Sequence, residues 1–173
     1  MSDHSPVETS ALLEDYLRRC LSRECQPPAA AVAQTLWRVA AEMRSRNREF
    51  FESCEQLDGD PRSTLEGVAA RLPEEGGLNW GRIIGLIVFA GVLVQRHGEH
   101  KSGTPKSLAE VLTQFLEVEH REWFQKNGAW EGFYKFCNKN GADQAQDNSR
   151  FSNALMAAAG FGIAGLVFLL TVR

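Results

Sequence analysis

The chain has 173 residues, of which 43% are hydrophobic and 24% charged. That length supports one domain with a packed core, and the composition excludes collagen-like, disordered and disulfide-scaffold classes. The net charge is −3, and no dense basic patch carries interleaved aromatics, which excludes nucleic acid as the main partner.

Hydrophobic spacing predicts helices throughout. Ser5-Pro6-Val7-Glu8 reads as a capping box with proline at the first helical position. Leu12, Leu13, Tyr16, Leu17, Cys20 and Leu21 then recur on one face, until Gln26-Pro27-Pro28 breaks the helix. In a second helix Val32, Leu36, Val39, Ala40 and Met43 form one apolar stripe. Phe50, Phe51, Cys54 and Leu57 predict a short third helix, stopped at Asp58-Gly59-Asp60-Pro61. Asp60 with Pro61 starts a fourth, which carries Leu65, Val68, Ala69 and Leu72 and ends near Pro73.

Asn79 is the expected N-cap of the next element. Ile83 to Val94 is a run of twelve residues without a charge or a strongly polar group. A helix apolar all round is buried all round, and twelve residues are too few to span a bilayer. The run is also compatible with a buried strand. No hairpin partner or alternating segment appears elsewhere, so a central helix is favoured. Thr104-Pro105 starts a helix carrying Leu108, Val111, Leu112, Phe115, Leu116 and Val118. Trp123-Phe124 and Trp130 to Cys137 predict two short closing helices on either side of Asn127-Gly128. Residues 1–138 therefore read as one helical bundle, 139–150 as a polar linker and 151–173 as a C-terminal membrane anchor.

The anchor reading rests on Ala154 to Val172, 19 residues without a charge. As a helix they span roughly 29 Å, against a bilayer core of about 30 Å. Ala154, Ala158 and Gly162 are spaced by four, as are Gly160 and Ala164. They suit close approach of membrane helices, or are ordinary small residues of a membrane span. The polar, acidic first ten residues lack the pattern of a secretory leader. The domain is therefore expected in the cytosol, with Cys20, Cys25, Cys54 and Cys137 reduced and structural.

Chemistry-bearing motifs fail on context. Gly160-Phe161-Gly162-Ile163-Ala164-Gly165 matches the dinucleotide fingerprint in letters, but no strand precedes it and no acidic residue follows. His97 and His100 flank Glu99 without completing a metal-ligand set. No nucleophile elbow or phosphate-binding loop is present. The sequence predicts neither an enzyme nor a cofactor.

Two motifs carry a family resemblance. Asn79-Trp80-Gly81-Arg82 resembles the first homology region of the Bcl-2 family of apoptosis regulators. Glu122-Trp123-Phe124-Gln125-Lys126-Asn127-Gly128-Ala129-Trp130-Glu131-Gly132-Phe133 resembles the second. Their order, their spacing and the apolar tail agree. Leu12-Leu13-Glu14-Asp15-Tyr16 and Met156 to Gly165 further resemble one branch of that family. The resemblance implies an all-α bundle of about eight helices around a buried central helix, plus the C-terminal transmembrane helix. It also implies a surface groove for the amphipathic death-motif (BH3) helix of pro-apoptotic relatives.

By matching to the family pattern, the groove positions are Met43, Asn47, Phe51, Cys54, Val68, Leu72, Asn79, Gly81, Arg82, Ile84, Gly85 and Phe89. Arg82 matches the arginine that pairs with an aspartate of the partner helix. The other reading is an internal ion pair of Arg82 with Glu74 or Glu75. Asn47 stands where relatives often carry an aromatic. Ala41 stands where the family's own death motif carries aspartate, which argues against a donor role. Trp80, Trp123 and Trp130 read as core packing.

The resemblance thus implies an anti-apoptotic protein on the cytosolic face of the mitochondrial outer membrane or the endoplasmic reticulum membrane. It would bind pro-apoptotic relatives through the groove and lipid through residues 154–172. Two alternatives stand beside this: a membrane-permeabilising effector, and a regulator of a reticulum calcium channel through the N-terminal helix.

Overall fold

Helix starts in this chain are set locally. Asp60 Oδ2 accepts from the Ser63 N–H at 2.9 Å, Asn79 Oδ1 from the Arg82 N–H at 2.8 Å, and Thr104 Oγ1 from the Ser107 N–H at 3.1 Å. Each side chain satisfies one of the amide donors that a helix leaves unpaired at its first turn. Pro61 and Pro105 sit in the first turn after their caps, where a missing N–H has no consequence.

The computed structural model describes residues 6–23, 26–55, 59–74, 77–98 and 103–139. Eight α-helices occur among them: α1 (Pro6–Ser22), α2 (Ala31–Arg46), α3 (Arg48–Cys54), α4 (Pro61–Arg71), α5 (Trp80–His97), α6 (Pro105–Gln114), α7 (Arg121–Lys126) and α8 (Ala129–Lys139). A 3-10 turn, Leu72–Glu74, extends α4. No helix of the described residues is long and apolar enough to cross a membrane. Ser5, Cys25, Leu57, Glu99, His100 and the expected anchor at 151–173 lie outside the described residues. α8 runs through Lys139, one residue into the expected linker.

α5 is the axis of the bundle. Every residue from Trp80 to Val94 is buried, as an all-round apolar helix must be. α1, α2, α3, α4 and α6 all pack on it, α1 also packs on α6, and α2 on α8. Gly91 permits the approach of α1: a Cβ there would lie 3.0 Å from Cys20 Sγ and 3.4 Å from Tyr16 Oη. Arg62 joins α4 to α6 through Glu110 at 3.1 Å, while also pairing with Glu66 on its own helix.

One stretch departs from the expected pattern. The helix begun at Thr104 does not stay α-helical to Val118. Phe115–Glu119 is a π turn. Its wider winding rotates the side chains out of the 3.6-residue register. Val118 is left 69% exposed, and Glu117 is buried at 6% exposure. The Thr9 hydroxyl donates to Glu117 Oε1, and Trp130 Nε1 donates to Thr9 Oγ1 at 3.0 Å. This buried chain ties α1 to the π turn and to the start of α8. Leu21 also differs: it is exposed at the end of α1, beyond the buried part of the stripe.

Candidate partner-binding groove

The groove positions come from α2, α3, α4 and the first half of α5. α2, α3 and α4 each pack on α5, which brings these positions into one apolar layer. Gly85 lies under α2, with Met43 Sδ 3.7 Å from where its Cβ would be. Phe51 and Cys54 enter from α3, Val68 from α4, and Leu72 from the turn after α4. Gly81, Ile84 and Phe89 are buried along α5.

The layer is closed. Met43, Phe51, Cys54, Ile84 and Phe89 are each at most 1% exposed. The family resemblance implies an open surface groove; here α3 and α4 cover these positions. The physical reason is the hydrophobic effect: apolar side chains of α2, α3, α4 and α5 leave water by packing on one another. α3 is held over it partly by an ion pair between Arg44 and Glu55 at 3.3 Å. Arg44 also donates to Gln95 Oε1 at 2.5 Å, and Gln95 Nε2 donates to the Cys20 carbonyl at 2.9 Å. A polar chain thereby links α3, α2, α5 and α1. The sequence reading missed it because its members lie up to 75 residues apart.

Asn47 has a local duty. It ends α2: its backbone N–H and its side-chain Nδ2 both donate to the Met43 carbonyl, at 3.1 and 3.0 Å. It is half-buried and leaves the groove edge polar. Ala41 is exposed on the outer face of α2.

Arg82 is the polar element of the layer. The Asn79 cap fixes it in the first turn of α5, where the helix field is positive and favours an anion. Only 5% of the residue is exposed. Its Nη1 donates to the Gly77 carbonyl at 2.5 Å, and Gly77 presents that carbonyl from a left-handed conformation, φ +84°. Its Nε is buried and meets no hydrogen-bond acceptor among the described residues. A buried donor without an acceptor is rare and costly. The side chains of Glu74 and Glu75, the internal partners considered from the sequence, lie outside the described residues.

Trp80, Trp123 and Trp130 pack together at one end of the bundle. Trp80 meets Trp123, Phe124, Trp130 and Phe133 at ring-centroid distances of 5.1–6.4 Å. This aromatic cluster fastens the start of α5 to α7 and α8. Gly128 and Ala129, both at positive φ, turn the chain between those two helices. Burial pushes the Cys54 and Cys137 thiols up to about 12 and raises Cys20, which disfavours the reactive thiolate at all three. Among the described residues no cluster of three or more His, Cys, Asp or Glu side chains forms a metal site.

Residues 36–130 match the family model described as apoptosis regulator proteins, Bcl-2 family. The chain belongs to the Bcl-2 family. Both motifs that resemble this family sit at the aromatic cluster, one opening α5 and the other running from α7 into α8. Among its Bcl-2 relatives is the anti-apoptotic protein NR13 of Coturnix japonica, 47% identical over 171 residues, with 96% of each chain covered. Bcl-2-like protein 10 of Homo sapiens is 30% identical over 162 residues, covering 79% of this chain and 78% of the human one. The zebra-fish pro-survival protein NRZ, solved in complex with the Bad BH3 segment, aligns with a TM-score of 0.67 at 31% identity. That match covers 76% of this chain and 93% of the other.

Proposed function

We propose that this chain is an anti-apoptotic regulator that binds the BH3 helices of pro-apoptotic relatives between α2, α3, α4 and α5. Its action is stoichiometric: a sequestered partner no longer permeabilises the outer mitochondrial membrane. The observation that carries the reading is Arg82, whose buried Nε meets no acceptor among the described residues at the positive end of α5, beside the apolar layer. A partner carboxylate supplies that acceptor, and a guanidinium fork suits it geometrically. Apolar residues of the partner at helical spacing then take the places that α3 and α4 now fill. The anti-apoptotic name of the NR13 relative and the NRZ–Bad BH3 complex support this reading.

The closed layer adds a conformational step. Exposing the layer costs about 25 cal/mol for each Å² of apolar surface opened. Apparent affinity falls by the fraction of molecules that are open. Weakening the α3 cover therefore strengthens binding, and a partner must bind well enough to offset the opening. Residues 154–172 anchor the chain in the mitochondrial outer or reticulum membrane, with the bundle on the cytosolic side.

The test is titration of the chain with fluorescent BH3 peptides, each paired with a version whose aspartate is replaced by alanine. Sub-micromolar binding that depends on the aspartate supports the reading. A folded chain that binds neither peptide overturns it. Release of vesicle contents by the purified chain alone would instead assign it to the permeabilising effectors.

A further inference from the structure

A second concavity lies away from the groove, between the N-terminal half of α2 and the end of α8. It encloses about 360 Å³, within the range of small-ligand sites. Gln34, Thr35, Trp37 and Arg38 line it from α2, and Tyr134 and Asn138 from α8. Asn138 Nδ2 donates to Thr35 Oγ1 at 3.3 Å and to the Tyr134 carbonyl at 2.9 Å, which fixes the floor. Trp37 is half-buried and meets Tyr16 edge-on, with ring centroids 6.4 Å apart; Tyr134 is 37% exposed.

The cleft is electropositive. No carboxylate lines it. Arg38 is exposed and makes no hydrogen bond or ion pair among the described residues. The acids next along the two helices are engaged elsewhere, Glu42 with Arg46 and Glu131 with Lys135. A free guanidinium between a tryptophan and a tyrosine matches the headgroup layer of a bilayer, where amphipathic rings settle and arginine meets phosphate.

The position of the cleft in the chain names the occupant. α8 ends at Lys139, and fourteen residues, 140–153, separate it from the uncharged run 154–172. Full extension of such a segment spans about 50 Å, and a random chain of that length about 20 Å. With 154–172 in the membrane, the cleft is held close to the lipid surface. A weak second contact then acts at high effective concentration.

We propose that this cleft docks anionic phospholipid headgroups, Arg38 taking the phosphate and Trp37 and Tyr134 flanking it, so that the bundle rests on the membrane by its α2–α8 face. The inference rests on the anchor reading of residues 154–172.

The test is hydrogen exchange of the full chain in nanodiscs, either of phosphatidylcholine alone or with about one-third phosphatidylserine. The expected result is several-fold slower exchange in peptides covering 31–38 and 131–138 in the anionic discs, with α5 peptides unchanged. Arg38→Gln, a change at an exposed side chain, is expected to abolish the difference, and Tyr134→Ser to reduce it. A chain that stays with both discs but exchanges identically in them overturns the docking alone. A chain that stays with neither overturns the anchor reading, and the tethered docking with it. Equal slowing by inorganic phosphate in phosphatidylcholine discs overturns lipid as the ligand.

Discussion

Replacing Arg82 by methionine separates stability from binding. The substitution keeps most of the apolar stem and removes the guanidinium. It loses the charge-assisted bond from Nη1 to the Gly77 carbonyl, worth about 1.5–3 kcal/mol. It also removes the buried Nε that has no acceptor among the described residues, a penalty of about 1–3 kcal/mol, and relieves the desolvation of a buried charge. Gly77 is half-exposed, so water replaces the lost donor at its carbonyl. The two contributions cancel or favour methionine, and folding stability is expected to stay level or rise by about 1 kcal/mol.

Binding moves the other way. The partner's carboxylate would be buried without its cation, at a cost of about 2–5 kcal/mol, which is roughly a 30- to several-thousand-fold loss of affinity. Urea unfolding followed by tryptophan fluorescence reads the first quantity, and peptide anisotropy the second. A methionine variant destabilised by about 2 kcal/mol or more would show that the arginine is held for the fold. Unchanged affinity would show that partners are not recognised through this residue.

Four further outcomes are expected. Gly85→Ala should stabilise the chain by about 1 kcal/mol, since helix propensity favours alanine and the new methyl meets Met43 Sδ at an ordinary 3.7 Å. Gly91→Ala should destabilise it, because its methyl would lie 3.0 Å from Cys20 Sγ; denaturation midpoints shifting in the same direction would refute the α1–α5 geometry. Thr9→Val cuts the buried chain between Trp130 and Glu117 and should cost about 2–3 kcal/mol in chemical denaturation, and a loss within about 0.5 kcal/mol would count against it. Cys54 and Cys137 should resist iodoacetamide at pH 8 in the folded chain and react once it is unfolded. Their folded values are raised from 9.0 to about 12, so the stability they contribute is complete below pH 9 and is lost as the pH rises towards 12.

The helix starts at Asp60, Asn79 and Thr104, the burial of α5 and the two family motifs were legible in the sequence. Capping acts over three residues, and an all-round apolar run has one stable environment, so local chemistry is sufficient for both. Val118, expected with the apolar residues of its helix, is exposed because a π turn, tied to Thr9 from the other end of the chain, changed the period on which the reading relied. Asn47 could be placed at the groove from the family pattern, but its duty as the end of α2 needed the Met43 carbonyl in view. The expected groove positions were read from the family pattern as a set. Their closure under α3 and α4, and the unpaired Nε of Arg82 at the edge, were decided by the tertiary structure. Burial and hydrogen-bond satisfaction depend on which surfaces meet, and those surfaces come from segments tens of residues apart.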